Sequence, residues 1–489
     1  MDSTLTGTNL ASMGRHIPTP FRLSIKHDKN QFELQIESIL RIVPGKRIVA
    51  LTQWQSRPVI VKLFFQPGHW QRNFQADVRG INLLIQSDIP TPKILGQAAL
   101  IGDQGAVLLM EYLREGTGLL SLLNGADTEA DKHAAVEMAV ATIASCHKSG
   151  VWQQDIHLDN FMFFNERVFV LDGGDIKLTG IDIDGETKMG NLAMFFAQFP
   201  VSKDYRIESL FQHYQAQSTE LSDAAISSFE LRVKKARARR LGSYERKLNR
   251  STTVNHCVRT ATKLLIYNRS LHSREFCAFV QNPDKFIENG KVLKGGNTTT
   301  VAEVVIDDRI YVVKRYNIKK FVHGLRRLFR LGRAYKSWRN ASILEMLGVS
   351  TPHPYMVLEQ RAFWLIRRKA YFLCDRIGAD HLFVDFESES ANKAETVFAA
   401  FEQLLKIMHD YKISHGDMKL SNFIYESDLL HVLDLDSMER FTSARRFHTR
   451  FTKDLARFRK NWVGTKHEAS VDQLIQAADS SQAEKPKVR

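Results

Sequence analysis

An aspartate, an asparagine five positions later and a second aspartate twelve positions beyond that occur twice in this chain: Asp155, Asn160 and Asp172, then Asp417, Asn422 and Asp434. At that spacing the first carboxylate can orient an attacking hydroxyl and take its proton. The asparagine and the second aspartate offer the hard oxygen ligands that magnesium prefers. Phosphoryl transfer asks for little else, because the protein positions charges and does almost no covalent work. Each residue could instead cap a turn or a helix. Against that reading, both sets lie downstream of a lysine centred in an apolar strand, Lys62 in VIVKLFF and Lys314 in YVVKRYN. A charge in such a strand needs a partner, and nucleotide phosphates would provide one; the alternative is an edge-strand lysine whose ammonium reaches water.

The elements that must carry these residues repeat in the same order. Ile89-Pro90-Thr91-Pro92 is matched by Val349-Ser350-Thr351-Pro352, QDIHLDNFMF by GDMKLSNFIY, and VFVLDGGD by LHVLDLDS, the last two blocks at a constant offset of 262 positions. A unit of that length is a duplicated domain and not a solenoid repeat. The expected plan is an N-terminal extension (1–30), a first domain (31–230), a basic helical linker (231–262), a second domain (263–470) and a flexible tail (471–489). Each copy reads as α+β, with a β-rich first lobe and a mainly helical second lobe.

Composition bounds the rest. The 489 residues are 44% apolar and 25% charged, the mix of a globular protein. Neither a long apolar run nor a basic-then-apolar leader is present, so the chain is expected to be neither membrane-spanning nor exported. The four cysteines are scattered without zinc spacing and read as free thiols in a reducing cytosol. The net charge of +14 is concentrated in Leu231 to Arg250 and Lys314 to Arg339. Such fields attract phosphate-rich partners, although either run could be a solvated helix face.

The strand lysine, the D-x-x-x-x-N loop and the following Val-Leu-Asp resemble the protein-kinase superfamily signature. Within it, the pattern is similar to the lipopolysaccharide core (heptose and Kdo) kinases, here as a tandem duplication. That resemblance implies ATP with Mg2+ (or Mn2+) as cofactors, Asp417 and Asp155 as bases, and Asn422, Asp434, Asn160 and Asp172 as metal ligands. It places Lys314 and Lys62 on the nucleotide phosphates and Lys419 near the transferred phosphate. The acceptor it implies is a sugar hydroxyl of a lipid A-linked core intermediate, at the cytoplasmic face of the inner membrane.

The copies are unequal. His415 precedes Gly416-Asp417 where the first copy has Gln153, and Lys419 is matched by His157. Gly295 and Gly296, before Asn297, give backbone N–H groups room to approach phosphate, whereas the first copy offers only Pro44-Gly45-Lys46. Neither copy has an obvious glutamate to pair with its strand lysine: helical spacing puts Asp77 with Ile81 and Leu84 in the first and Ser337 or Asn340 with Leu344 in the second, which leaves the lysine's anchor open. DGG and DLD replace D-F-G, so no mobile phenylalanine switch is expected.

The stretch Phe321 to Trp338 is a basic amphipathic segment that could lie on an anionic inner-membrane surface or simply pack on its own sheet. A second basic band, Arg445, Arg446, Arg450, Lys453, Arg457, Arg459 and Lys460, is interleaved with Phe447, Phe451 and Phe458. Aromatic interleaving can stack bases, but no nucleic-acid module accompanies it, so no nucleic-acid partner is expected. The competing functions are a kinase of protein Ser/Thr or of another small molecule, and a pseudokinase copy that regulates or scaffolds the other.

Overall fold

The computed structural model describes residues 4–102, 104–179, 183–217, 226–296, 298–317, 331–362, 366–378 and 391–480. Asn297 of the glycine loop and residues 321–330 of the basic amphipathic segment lie outside them. The chain forms two compact units, Met1–Gln198 with Tyr205–Ala236, and Phe199–Asp204 with Arg237–Arg489. The division falls inside the helix Ile226–Lys247.

In the first unit a seven-stranded sheet runs in chain order from Thr4–Leu5 to Arg57–Phe64, then through Ala106–Glu111 to Ile94–Leu100. Phe21–His27 also pairs with Ile94–Leu100. Residues expected as an N-terminal extension therefore contribute sheet strands. The reason is visible in the alternation of Phe21, Leu23 and Ile25, all buried on one face. The helix Trp70–Gln86 buries Phe74, Val78, Ile81 and Leu84 at helical spacing. The rest is mainly helical, with Glu129–Lys148 and Gly185–Phe196 the longer elements before residue 200.

The second unit's sheet has the order Asn255–Arg259, Lys263–Asn268, Pro354–Ala362, Ile366–Asp375, Arg309–Tyr316, Thr299–Ile306, Lys291–Lys294. Its first strand comes from the stretch expected as linker. The helices Arg333–Met346, Ala391–Asp410 and Ala444–Arg459 follow. Glu468–Ser480, most of which was expected to be flexible tail, is helical because Val471 and Leu474 are buried in that unit's core.

Paired hairpins set the positions that matter. Arg47–Trp54 and Arg57–Phe64 are joined by Gln55-Ser56, and Thr299–Ile306 and Arg309–Tyr316 by Asp307-Asp308, each turn with positive φ at both residues. A two-residue turn of that kind fixes register, and it sets Lys62 opposite Val49 and Lys314 opposite Val301. The hairpins Phe161–Phe164/Arg167–Val170 and Phe423–Glu426/Leu429–Val432 turn the same way, through Asn165-Glu166 and Ser427-Asp428.

Candidate active sites

Each short hairpin brings its asparagine and its second aspartate to one end. The Leu171 N–H donates to the Asn160 carbonyl and the Leu433 N–H to that of Asn422, both at 2.8 Å. The next residue, Asp172 or Asp434, adopts the left-handed conformation (φ 63° and 55°). Asn160 Nδ2 donates to the Asp155 carbonyl at 3.2 Å, and Asn422 Nδ2 to that of Asp417 at 2.8 Å. In both units the strand lysine reaches the second aspartate, Lys62 Nζ to Asp172 at 3.5 Å and Lys314 Nζ to Asp434 at 3.3 Å. Residues dispersed over more than a hundred positions thus converge twice on one pattern.

The loops before Asp155 and Asp417 are held in place by different chemistry. Burial keeps the His415 imidazole below its ordinary pKa. In its neutral form Nε2 donates to the Leu433 carbonyl at 2.9 Å. Gln153 Nε2 makes the equivalent bond to the Leu171 carbonyl, also at 2.9 Å, so the histidine missing from the first copy has a structural substitute. Asp454, buried on the helix Ala444–Arg459, accepts from Ser414 Oγ, His415 N and Gly416 N at 2.7–2.9 Å. In the first unit that place is taken by Asn191, whose Nδ2 donates to the Gln153 carbonyl at 2.6 Å while Oδ1 meets His147 Nε2 at 3.0 Å. His147 Nδ1 in turn meets the Tyr214 hydroxyl at 2.7 Å. Burial pulls the His147 imidazole down to about 4, so this relay works with the neutral ring.

The two lysines are anchored differently. Lys62 is paired with Asp77 Oδ1 at 2.8 Å on the helix Trp70–Gln86, so an aspartate does the anchoring where no glutamate was found. Ser337 on the helix Arg333–Met346 instead bonds the Tyr316 hydroxyl at 2.8 Å, and Asn340 donates to the Leu435 and Met438 carbonyls. Lys314 is left with Asp434 as its carboxylate among the described residues. Burial pulls the Lys314 ammonium down, but Tyr316 and Asp434 outweigh it and the group ends above its ordinary value.

The first unit contains a cation that the spacing argument misses. Arg47 Nη1 and Nη2 bind the two oxygens of Asp172 at 3.2 Å each, and Nη1 also lies 3.3 Å from Asp77. Burial pushes the Asp172 carboxyl up, yet Lys62 and Arg47 together hold it well below the usual carboxylate range. Register places Thr299 where the first unit has Arg47. The Asp434 side chain is 47% exposed, against 22% for Asp172. Burial raises the Asp434 carboxyl, but Lys314 outweighs it and leaves the group below its ordinary value.

These contacts test whether a divalent cation fits. Among the described residues no three His, Cys, Asp or Glu side chains cluster to hold a metal unaided. Asn422 and Asp434 nonetheless fit the part of a magnesium site that leaves its other positions to phosphate and water. Asn422 Oδ1 and Asp434 Oδ2 both lack a hydrogen-bond donor among the described residues. Asn160 and Asp172 do not fit, because Arg47 holds both oxygens of Asp172.

The surroundings of Asp417 and Asp155 also differ. Lys419 Nζ lies 2.8 Å from Asp417 Oδ2, and Arg457 Nε lies 3.8 Å from Oδ1. Asp155 is exposed, and His157 turns toward Asp159, 3.4 Å away. Gly295 and Gly296 connect the strands Lys291–Lys294 and Thr299–Ile306, and a Cβ on Gly295 would meet nothing within 4 Å. In the first unit the corresponding connection is a tight turn, with Lys46 N–H donating to the Val43 carbonyl at 3.0 Å. The glycine after Asp172 has a packing cause: a Cβ on Gly173 would lie 2.3 Å from the Asp77 carbonyl, and one on Gly80 would lie 1.9 Å from the Gly173 carbonyl. Only glycine lets the Asp77 helix rest on that loop.

No protein-family model matches the sequence, and no curated protein matches it either. Among many similar solved chains is a structure of vaccinia related kinase 3, with a TM-score of 0.26 and 15% identity over 36% of this chain. The matched part spans 59% of that kinase.

Proposed function

We propose that the second unit is an ATP-dependent phosphotransferase acting on an alcohol. The observation that carries this reading is the convergence of Lys314, Asp417, Asn422 and Asp434 around an exposed, partly unpaired Asp434 carboxylate. Asp417 orients the acceptor hydroxyl and takes its proton as that oxygen bonds the γ-phosphorus. The bond from the γ-phosphorus to its bridging oxygen breaks, and ADP leaves. Lys314 holds the nucleotide phosphates, Lys419 meets charge on the transferred group, and Gly295 and Gly296 let backbone N–H groups approach phosphate, with open space beside Gly295. Magnesium or manganese, which Asn422 and Asp434 would hold, supplies charge neutralisation at the phosphates.

The acceptor we propose is a sugar hydroxyl of the lipopolysaccharide inner core, reached at the cytoplasmic face of the inner membrane. The motifs support this through their resemblance to the core kinases. Among the described residues no helix is long and apolar enough to cross a membrane; association would be peripheral, through the basic segments. Radiolabelled ATP with purified core oligosaccharide tests the proposal. Transfer by the wild type, abolished by Asp417→Ala, is expected; transfer undiminished by Asp417→Ala refutes it, and label appearing only on protein favours the protein-kinase reading.

A second reading applies to the first unit alone. Arg47 on Asp172 favours a copy that does not transfer phosphate and that regulates or scaffolds its neighbour. Loss of transfer in Asp417→Ala with full transfer in Asp155→Ala is the result it expects.

A further inference from the structure

The helix Ala444–Arg459 has two faces with separate duties. Phe447, Phe451, Asp454, Leu455 and Phe458 are buried. Arg446, Arg450, Lys453 and Arg457 recur at spacings of four, three and four, which puts all four on one exposed ridge. Arg446, Arg450 and Lys453 have no ion-pair partner among the described residues. Like charges stacked this way weaken a helix, so the ridge is not explained by the fold.

Both ends of the ridge are informative. At one end Arg457 lies 3.8 Å from Asp417. At the other, Arg446, Thr449 and Arg450 line a shallow cavity of about 560 Å³, whose one acidic side chain, Glu439, is already paired with Lys336. At 1.5 Å per residue the ridge runs roughly 16 Å from Arg446 to Arg457. The first unit provides an internal comparison: with Asn191 matched to Asp454, its helix Gly185–Phe196 carries Thr187, Gly190 and Met194 where the second has Arg450, Lys453 and Arg457. The charge therefore belongs to the copy whose site fits a metal.

We infer that this ridge is the docking track for a polyanionic saccharide acceptor, whose anionic groups lie along Arg446, Arg450 and Lys453 while an uncharged hydroxyl reaches Asp417. This rests on reading the second unit as a phosphotransferase, and it narrows the acceptor to one with phosphate or carboxylate groups within roughly 16 Å of the accepting hydroxyl. Continuity with the base is what selects an acceptor over a membrane surface as the occupant.

The full chain is titrated calorimetrically with sucrose octasulfate as the anionic saccharide probe, sucrose as its neutral counterpart, and phosphatidylglycerol vesicles; a fluorescent ATP analogue is titrated in parallel. Octasulfate but not sucrose should bind. Arg446→Glu/Arg450→Glu should weaken octasulfate at least about tenfold while leaving the ATP analogue unaffected. Lys235→Glu/Arg239→Glu makes the same charge change on the exposed face of another helix and should leave octasulfate affinity within about twofold. No octasulfate binding by the wild type, equal loss in the two double variants, or loss confined to the vesicles overturns the inference. Failure of the wild type to bind the ATP analogue would instead sink the phosphotransferase reading beneath it.

Discussion

Replacing Asp77 by alanine tests the charge arrangement of the first unit most directly. The Asp77 side chain has no exposed surface, and it receives Lys62 at 2.8 Å and Arg47 at 3.3 Å. Without it, Lys62, only 7% exposed, keeps Asp172 at 3.5 Å as its sole carboxylate among the described residues. Removing one partner of a buried ion pair costs about 3–5 kcal/mol, because the remaining charge stays out of water. At about 2–4 °C per kcal/mol for a unit of this size, the first unit's melting temperature should fall by roughly 6–20 °C. Differential scanning calorimetry of the full chain reads this as movement of one transition while the other stays in place, since two units need not melt together. The companion variant Lys62→Met/Asp77→Leu replaces the pair by apolar groups and should recover much of the loss. A shift below about 2 °C in Asp77→Ala, or a companion variant that loses as much as the two single changes together, would refute the reasoning.

Three further outcomes follow from the same contacts. His147 is held neutral with its pKa depressed to about 4, so its contribution is fully present above the unfolded value and lost as pH falls through the folded one. The first unit's melting temperature should therefore drop between about pH 6.5 and 4, by the equivalent of about 3 kcal/mol, and His147→Gln should flatten that dependence. Arg47→Ala frees Oδ2 of Asp172 and leaves Oδ1 with Lys62, the state Asp434 has with Lys314. In an Asp434→Asn background, manganese followed by electron paramagnetic resonance should bind this variant and not its Arg47 parent. Asp454→Ala removes the acceptor for three donors of the loop before Asp417. On the proposed phosphotransferase reading Asp454 positions Asp417 without touching substrate, so kcat should fall by about a hundredfold while nucleotide affinity holds, and Asp454→Asn should restore part of it.

The residues named from spacing were legible because short hairpins bring them together: five positions from Asp417 to Asn422 and twelve more to Asp434 leave little room for another path. Lys62 and Lys314 were legible as charges stranded in apolar runs. Arg47 was not, since its meeting with Asp172, 125 positions later, depends on a two-residue turn, a strand register and the approach of a helix, none of which local pattern encodes. Asp77 appeared only as a polar residue at the right helical phase, without its role. Asp454 had a readable signal: an acid on the apolar stripe defined by Phe447, Phe451 and Phe458, where a buried carboxylate must find donors. The strand Asn255–Arg259 was obscured by the charge run before it, because composition blurs a boundary that pairing makes sharp.

The glycine contact between Gly80 and Gly173 bears on how the two copies could have diverged. The first copy closes its acidic loop by bare backbone approach, and the second by the Asn340 amide reaching the Leu435 carbonyl. These are two different locks for one door. A leucine placed at position 173, as at Leu435, without the helix that faces it would drive a side chain into the Asp77 carbonyl; a glycine at 435 would keep the backbone carbonyl that Asn340 binds. In the first copy helix and loop are therefore tied to one another, because a side chain at either glycine needs the facing backbone to move. A library of short-segment chimeras of the first copy should retain folded protein chiefly where both partners move together.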